Sequence, residues 1–336
     1  GRRVLKWGMV SVPGGVVVDG VVREPAALVR ALDALLRDLG IRTKRAAFGV
    51  ADPSLLVRRL VIPRLSGKGT EEALGREIRR LTPVPLEDLR FEWMQLGKAK
   101  ELQETLVVVS LRHPGEAGGA AVRMAGIKPV FATSRALAVA RAVGLSTAVV
   151  VNVERACFDL VFVQGNVPVF LSTISHDLPR DANPHELMSL LQGEWSRGLE
   201  AVDDTFKAAL SSRAVPVVVT GAAATEGEFT QTIEEVFSVT VVPFNPPFRF
   251  PAEFSACQYA AGLGLAISYQ SQASGVLRLL ARRSRLRCPS FDLVPRETRQ
   301  GVSPRRRWMA VGVAIASLAL LAVFGRVGAN ANREAH

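Results

Sequence analysis

An apolar run near the end of the chain, from Trp308 to Phe324, constrains the organisation of this protein most strongly. The run is 17 residues long, contains no charged residue and has Ser317 as its one markedly polar residue. A membrane-spanning helix needs roughly 17–25 apolar residues, so the run is long enough to cross a bilayer. An amphipathic core helix would show a polar stripe, which this run lacks. We therefore expect a transmembrane helix at 308–324; the alternative is an apolar helix buried in a protein core.

Arginines are concentrated just before this run. Ten of them lie between Arg278 and Arg307 against two acidic residues, a local charge of +8, which leaves +3 of the chain's +11 for all other residues. An arginine beside anionic lipid gains roughly 1 kcal/mol, so such a belt is typical of a membrane surface. The distribution favours lipid contact over binding of nucleic acid, which would need basic residues spread over the folded part of the chain.

The flanking charges also predict an orientation. Arg305, Arg306 and Arg307 directly precede the apolar run, whereas only Arg326 follows it closely. By the positive-inside rule, residues 1–307 lie in the cytoplasm and the C-terminus lies across the membrane. We expect the three consecutive arginines to contact the membrane surface.

The bulk composition indicates a folded protein with reduced thiols. The length of 336 residues suggests two domains, or one domain with an insertion, plus the anchor, and a hydrophobic content of 48% is ample for a large core. The three cysteines, Cys157, Cys257 and Cys288, are far apart, and no CxxC pair or Cys/His cluster occurs. The sequence therefore predicts neither a zinc site nor a disulfide framework, and no other metal site is expected. The four histidines have no Ser or Cys partner at a suitable spacing, so no catalytic residues are predicted.

Hydrophobic periodicity distinguishes an inserted stretch from the rest of the first 150 residues. Alternation over Val4 to Val18 predicts one or two strands, and Pro25 begins an amphipathic helix that Gly40 ends. Residues 52–127 have a different texture, with two further strands after Leu55–Ile62 and a charged helix at Thr70–Leu81. This stretch predicts a small inserted α+β subdomain.

The second half predicts a strand meander followed by alternating helices and strands. A helix is expected to start at Asn183 and to continue with one apolar face as far as Phe206. The expected elements after it are these: a strand at Val215–Thr220, a helix at Phe229–Phe237, a strand at Val239–Val242 and a small-residue helix at Ala260–Ile267.

The order of these parts resembles PilM, the actin-fold pilus assembly protein. "VVVDGVVREPAALVRALDALLRDLGIRTKRAAFGV" resembles the region after PilM's first strands, and "LVRRLVIP" with "EEALGREIRRLTPVPLEDLRFEWMQLG" resembles the subdomain that PilM and FtsA-type proteins insert there. "VVVTGAAATEGEFTQTIEEVFSVTVVPF" is similar to the strand, glycine turn and helix on the adenosine side, and "AAGLGLAI" is similar to the closing helix. The resemblance covers approximately residues 16–268.

A second resemblance involves the segment before the apolar run. "FDLVPRETR" resembles the "NLLP" segment that precedes the membrane helix of PilN, the partner that PilM binds. The presence of a PilM-like part and a PilN-like segment in one chain is similar to the arrangement of GspL, a type II secretion protein. The resemblance implies that this peptide docks in cis in a groove near the inserted subdomain; the alternative is an ordinary linker. The residues expected to dock are Phe291, Leu293, Val294, Pro295 and Arg296.

Together the resemblances imply an α/β, actin-like (FtsA/PilM-like) two-domain ATPase fold followed by one transmembrane helix. The first strands of that fold are expected to lie before Gly1. The implied parts are a partial actin-like subdomain (1–51), the inserted subdomain (52–127), a return to the first subdomain (128–147), a second actin-like domain (148–270), an Arg-rich linker with the PilN-like peptide (271–307), the transmembrane helix (308–324) and the start of a periplasmic segment (325–336).

The resemblance also locates a nucleotide site, and the residues there depart from the family pattern. Actin-fold ATPases bind phosphates at two glycine-containing strand turns that each carry an Asp. The first turn is expected before Gly1, and at the second this chain has Asn152 and Glu154 where Asp and Gly are usual. Glu154 brings negative charge to the phosphate position, where like charges repel strongly. On the adenosine side Gly221 is followed by Ala222 and two further alanines, which leave room for a nucleoside but do not select for one.

These observations predict a membrane-anchored scaffold of type IV pilus assembly, without ATP turnover, in the bacterial inner membrane. Its partners would be inner-membrane pilus or secretion proteins and its own PilN-like peptide; no cofactor is expected, although ATP with Mg²⁺ stays open. The alternatives are a GspL-like type II secretion platform and an active actin-fold ATPase. Asp159, the remaining acid near the nucleotide turn, is expected to be a polar residue of an edge strand; the alternative is a catalytic acid.

Overall fold

The computed structural model describes residues 2–98, 100–154, 157–176, 184–222, 224 and 227–272. The predicted docking peptide, the three consecutive arginines and the predicted membrane helix all lie outside these residues. Among the described residues, no helix combines the length and the apolar character that crossing a bilayer requires.

The order of elements alternates strands and helices. The strands are β1 (Val17–Val18), β2 (Val21–Val22), β3 (Arg45–Val50), β4 (Leu56–Pro63), β5 (Leu89–Lys98), β6 (Leu102–Leu111), β7 (Lys128–Ser134), β8 (Ala148–Val153), β9 (Cys157–Gln164), β10 (Val167–Ser175) and β11 (Val217–Gly221). The helices are α1 (Pro25–Asp38), α2 (Lys68–Leu81), α3 (Arg112–Met124), α4 (Arg135–Val143), α5 (Pro184–Glu200), α6 (Asp204–Ser211), α7 (Gly227–Phe237) and α8 (Ala260–Gln272), with a one-turn 3-10 helix at Leu86–Asp88.

The first lobe is built on the parallel pair β3 and β7, with α3 packed against the pair and α1 packed against α3. The prediction of strands over Val4 to Val18 is wrong for most of that segment: only its last two residues form a strand, in a short hairpin with β2. Residues before them contact the C-terminal half of the described chain instead. The N–H of Val4 donates to the carbonyl of Arg249, and the Trp7 ring packs edge-on against Phe254. Tertiary contacts therefore override the local alternation of this segment.

The inserted unit consists of β4, α2, β5 and β6 and lies in the chain between β3 and α3. Its antiparallel sheet has the order β4-β6-β5, and α2 packs against it through buried Leu74 and Ile78. Asp52, at the entrance to the unit, accepts hydrogen bonds from the N–H of Ser54 and the hydroxyl of Ser110, near its exit. This buried carboxylate ties together the two ends of the unit.

The second lobe is a four-stranded sheet of order β10-β9-β8-β11, in which β8 and β11 are parallel. Its strands are almost fully buried, as expected for a sheet covered on both faces. The single helix predicted from Asn183 to Phe206 is two helices, because Asp203 caps α6 by accepting the N–H of Phe206 at 2.8 Å. The predicted strand at Val239–Val242 is reduced to one isolated bridge between Val217 and Val241.

Two helices connect the lobes by crossing over. Helix α4 follows β7 of the first lobe and packs mainly against β8, β9 and β10, and more lightly against β3 and β7, whereas α8 packs against β3. The two helices touch closely where they cross: a Cβ atom at Gly264 would lie 1.8 Å from the carbonyl oxygen of Ala138. Only glycine permits this approach of the backbones.

Candidate functional site

The parallel pairing of β8 and β11 brings the predicted nucleotide positions together. Asn152 lies opposite Thr220 and Val153 lies opposite Gly221, so the ends of the two strands meet at one edge of the sheet. Glu154 and Ala222 directly follow these strand ends. Ligands of α/β folds commonly bind at such carboxyl ends, which makes this edge the candidate site.

The carboxylate of Glu154 is bound by its own chain. Asn152 and the backbone of Ala222 lie close enough to this carboxylate to favour its charged form. Burial raises the pKa of Glu154, and the positive charge of Arg135 opposes this shift in part. A carboxylate therefore already lies beside the backbone at the end of β11, where backbone N–H groups bind phosphate in many folds.

Asp159 lies at the centre of a buried polar cluster and is only 1% exposed. Its two carboxylate oxygens accept four hydrogen bonds. Arg135 donates from Nε at 2.7 Å and from Nη2 at 2.9 Å, Asn152 donates from Nδ2 at 3.0 Å, and Thr173 donates from Oγ1 at 2.7 Å. Thr220 extends the cluster by donating to Oδ1 of Asn152 at 3.0 Å. We call this cluster the polar junction: Arg135, Asn152, Glu154, Cys157, Asp159, Thr173 and Thr220.

Arg135 contributes the cation of the polar junction. Burial alone lowers the pKa of its guanidinium, but the charge of Asp159 and the hydrogen bonds to Asp159 and Cys157 outweigh this and raise the pKa, so the group stays charged. Its Nη1 donates to Sγ of Cys157 at 3.1 Å. Burial raises the pKa of the Cys157 thiol in spite of the nearby guanidinium, so the thiol stays protonated at neutral pH.

Gly221 has a structural reason to be glycine. Its φ of +91° is unfavourable for other residues, and a Cβ atom there would lie 2.2 Å from the carbonyl oxygen of Val153. Its N–H donates to the carbonyl oxygen of Cys257 at 2.9 Å and is therefore already paired. The close packing of β11 on β8 accounts for this glycine without a ligand.

Four members of the polar junction, Arg135, Cys157, Thr173 and Thr220, were not predicted from the sequence as site residues, and a fifth, Asp159, was placed wrongly. The prediction that Asp159 belongs to an edge strand is wrong, because β9 lies inside the sheet between β8 and β10. Thr173 and Thr220 are, like Asn152 and Asp159, polar residues within otherwise apolar strands, and that shared feature is the signal that could have connected them.

A groove with a volume of about 550 Å³ is lined by β4 of the inserted unit and by β10 and α5 of the second lobe. Leu55 and Phe170 supply apolar surface to the wall of the groove, and Arg58 supplies a positive charge. Burial lowers the pKa of the Arg58 guanidinium, and Nη1 of this group donates a hydrogen bond to the neighbouring carbonyl of Val57. We call this cavity the β4–β10 groove.

Replacement of Glu154 by Gln should change how stability depends on pH. The pKa of Glu154 is raised above its ordinary value of 4.5 by burial, so the folded state retains this proton to a higher pH than the unfolded state does. Stability is therefore lost as pH rises from the ordinary value through the raised one, by about 1.4 kcal/mol for each unit between them. Glu154→Gln should abolish this loss and be more stable than wild type at about pH 8.

Denaturant unfolding over a pH series from about 5 to about 8 tests this expectation. Glu253→Gln, at an exposed position, is the matched control and should follow the wild-type pH dependence. A Glu154→Gln curve parallel to wild type would show that the folded state does not hold this proton.

Comparisons with known proteins agree with the architecture of strands, insertion and crossing helices. The family model described as "Type IV pilus assembly protein PilM" matches residues 2–165. A chain of the "PilM-PilN type IV pilus biogenesis complex" superposes with a TM-score of 0.56 at 18% identity, over 76% of this chain and 89% of that chain. The chain has a PilM-like, actin-type fold.

Other solved structures are similar at lower TM-scores. The cytoplasmic domain of EpsL, an inner membrane component of the type II secretion system of Vibrio cholerae, matches at 12% identity with a TM-score of 0.41, over 82% of this chain and 85% of that chain. The ethanolamine utilization protein EutJ from Carboxydothermus hydrogenoformans matches at 16% identity with a TM-score of 0.38, over 75% and 77%. No curated protein sequence matches the chain.

Proposed function

We propose that this protein is a membrane-anchored scaffold of type IV pilus assembly with a PilM-like cytoplasmic part. The observation that carries the proposal is the PilM family match over residues 2–165, which spans the first lobe, the whole inserted unit and the start of the second lobe. The fold similarity to a chain of the PilM–PilN complex supports it over a larger share of the chain. In this role the protein positions other inner-membrane assembly proteins.

We further propose that the scaffold works without ATP turnover. The residues at the end of β8 do not fit a magnesium nucleotide: Asn152 has no carboxylate for the ion, and Glu154 brings negative charge to the N–H of Ala222. The polar junction uses its polar groups internally, because Asn152 and Asp159 hydrogen-bond each other. A phosphate bound there would lie beside the Glu154 carboxylate, and the two negative charges would repel each other strongly at low dielectric.

The anchoring part of the proposal comes from the sequence beyond the described residues. The apolar run at 308–324 supplies the span, and Arg305, Arg306 and Arg307 supply the lipid-facing charge. Asn152 and its neighbours then lie on the cytoplasmic side. The inner membrane is the proposed location, with residues 325–336 on the periplasmic side.

The PilN-like peptide is proposed to dock on this same chain. The β4–β10 groove borders the inserted unit and offers apolar surface at Leu55 and Phe170, which suits the apolar residues of the peptide. Arg58 at the groove offers a cation for the acidic Asp292. The peptide residues proposed to dock are Phe291, Leu293, Val294, Pro295 and Arg296.

Deletion of the gene from its bacterial source tests the function. We expect loss of surface pili, counted by electron microscopy, and recovery with the wild-type chain. A chain ending at residue 307 should leave the membrane fraction and fail to restore pili. The variant with Phe291→Ala and Leu293→Ala should remain in the membrane but restore few pili, whereas Val302→Ala, in the same linker, should restore them fully.

Normal piliation after deletion contradicts the pilus proposal. If the deletion strain is piliated and instead retains proteins that wild type secretes, the chain serves a type II secretion platform. If the chain ending at residue 307 stays in the membrane fraction, the anchor lies elsewhere. If the two alanine replacements restore pili as well as Val302→Ala does, the segment is an ordinary linker.

A further inference from the structure

The polar junction lies where the chain passes from one lobe to the other. Helix α4 begins at Arg135, immediately after β7 of the first lobe, and then packs on the sheet of the second lobe. A Cβ atom at Gly49, a residue of β3, would lie 3.6 Å from the Cα of Arg135. The backbone of Arg135 therefore rests against the first lobe while its side chain points to the second.

The side chain of Arg135 uses all three guanidinium nitrogens on the second lobe. Nε and Nη2 bind the two oxygens of Asp159, and Nη1 binds Sγ of Cys157. Two parallel hydrogen bonds to one carboxylate fix the plane of the guanidinium as well as its position. A bidentate pair of this kind therefore restricts rotation between the groups that it joins.

The environment of the pair keeps water away from it. The side chain of Arg135 is 15% exposed and that of Asp159 is 1% exposed. Asp159 also receives hydrogen bonds from Asn152 and Thr173, both in the second lobe, so its orientation is set before Arg135 binds. Solvent screening therefore weakens this pair much less than it weakens surface ion pairs.

We propose that the ion pair between Arg135 and Asp159 is a permanent latch that fixes the two lobes in one relative orientation without any bound ligand. The ion pair belongs to the polar junction beside the candidate nucleotide site. The latch rests on the proposed absence of ATP turnover only because nucleotide is the ligand to be tested. A scaffold gains from such a latch because its partner-binding surfaces keep one geometry.

Hydrogen exchange of the full chain, measured by mass spectrometry, tests the latch. Arg135→Met keeps much of the side-chain volume but removes the charge and all three donors. We expect exchange in α8 and β3 to become faster by on the order of tenfold or more in this variant. Arg135→Lys, which cannot bind both oxygens in parallel, is the second variant and should show a smaller change in the same segments.

Phe206→Ala is the control for a general loss of stability, because Phe206 is buried within the second lobe. Hydrogen exchange in this variant should become faster within the second-lobe sheet but not in α8 or β3. The latch is disproved if both Arg135 variants exchange in α8 and β3 as wild type does, or if their pattern matches that of Phe206→Ala. It is also disproved if Mg-ATP at about 1 mM slows exchange in α8 and β3 of wild type, since a ligand would then set the lobe orientation. Loss of pili on gene deletion is unaffected by either outcome, so the two proposals fail separately.

Discussion

Asp159→Asn is expected to lower the free energy of unfolding by about 3–5 kcal/mol. The replacement leaves the buried guanidinium of Arg135 without its bidentate partner, and an amide nitrogen at position 159 would face the donors of Arg135 or Asn152. Breaking a buried pair from one side costs this much because the remaining charge stays desolvated. Denaturant unfolding of the full chain in a mild detergent, followed by tryptophan fluorescence, measures the change.

Asp204→Asn is the matched control for the Asp159 replacement. Asp204 also pairs with a cation, Lys207 at 3.2 Å, but its side chain is 99% exposed. Surface pairs are screened by solvent, so this replacement should leave the free energy of unfolding nearly unchanged. Equal, small effects of the two replacements would mean that the polar junction contributes no more than a surface ion pair.

The strands of the second lobe were largely predictable, because local pattern determines them. The apolar run of β11 and the meander of β8 to β10 are visible in the sequence, and the structure places them with shifts of a residue or two at their ends. The amphipathic α2 was predicted in the same way and begins two residues before Thr70. Periodicity fails where tertiary contacts decide, as at Val4, whose N–H pairs with Arg249 far along the chain.

The candidate site was only half predictable, and the reason is the distance in sequence between its members. Arg135 and Asp159 are 24 residues apart, and Thr220 is 68 residues from Asn152. Nothing local marks one arginine as the partner of a buried aspartate, because the pairing follows from strand order and from the path of α4. Sequence shows that polar residues interrupt apolar strands, but the fold decides which of them meet.

Gly264→Ala should destabilise the protein, although the same change is favourable in most helices. Alanine in a helix interior normally gains about 0.5–1 kcal/mol over glycine. At position 264, however, the added Cβ would lie 1.8 Å from the carbonyl oxygen of Ala138, so α4 and α8 must move apart. Overpacking of this kind costs about 1–3 kcal/mol.

Gly262→Ala provides the internal standard, because a Cβ at that position of the same helix meets nothing within 4 Å. We expect Gly262→Ala to be neutral or stabilising and the two variants to differ by about 2–4 kcal/mol in denaturant unfolding. Helices α4 and α8 are the two that cross between the lobes, and the added methyl group forces them apart. Gly264→Ala should therefore also speed hydrogen exchange in α4 and α8. Equal stability of the two variants would show that the crossing can widen without cost, and the helix pair would then not restrain the lobes.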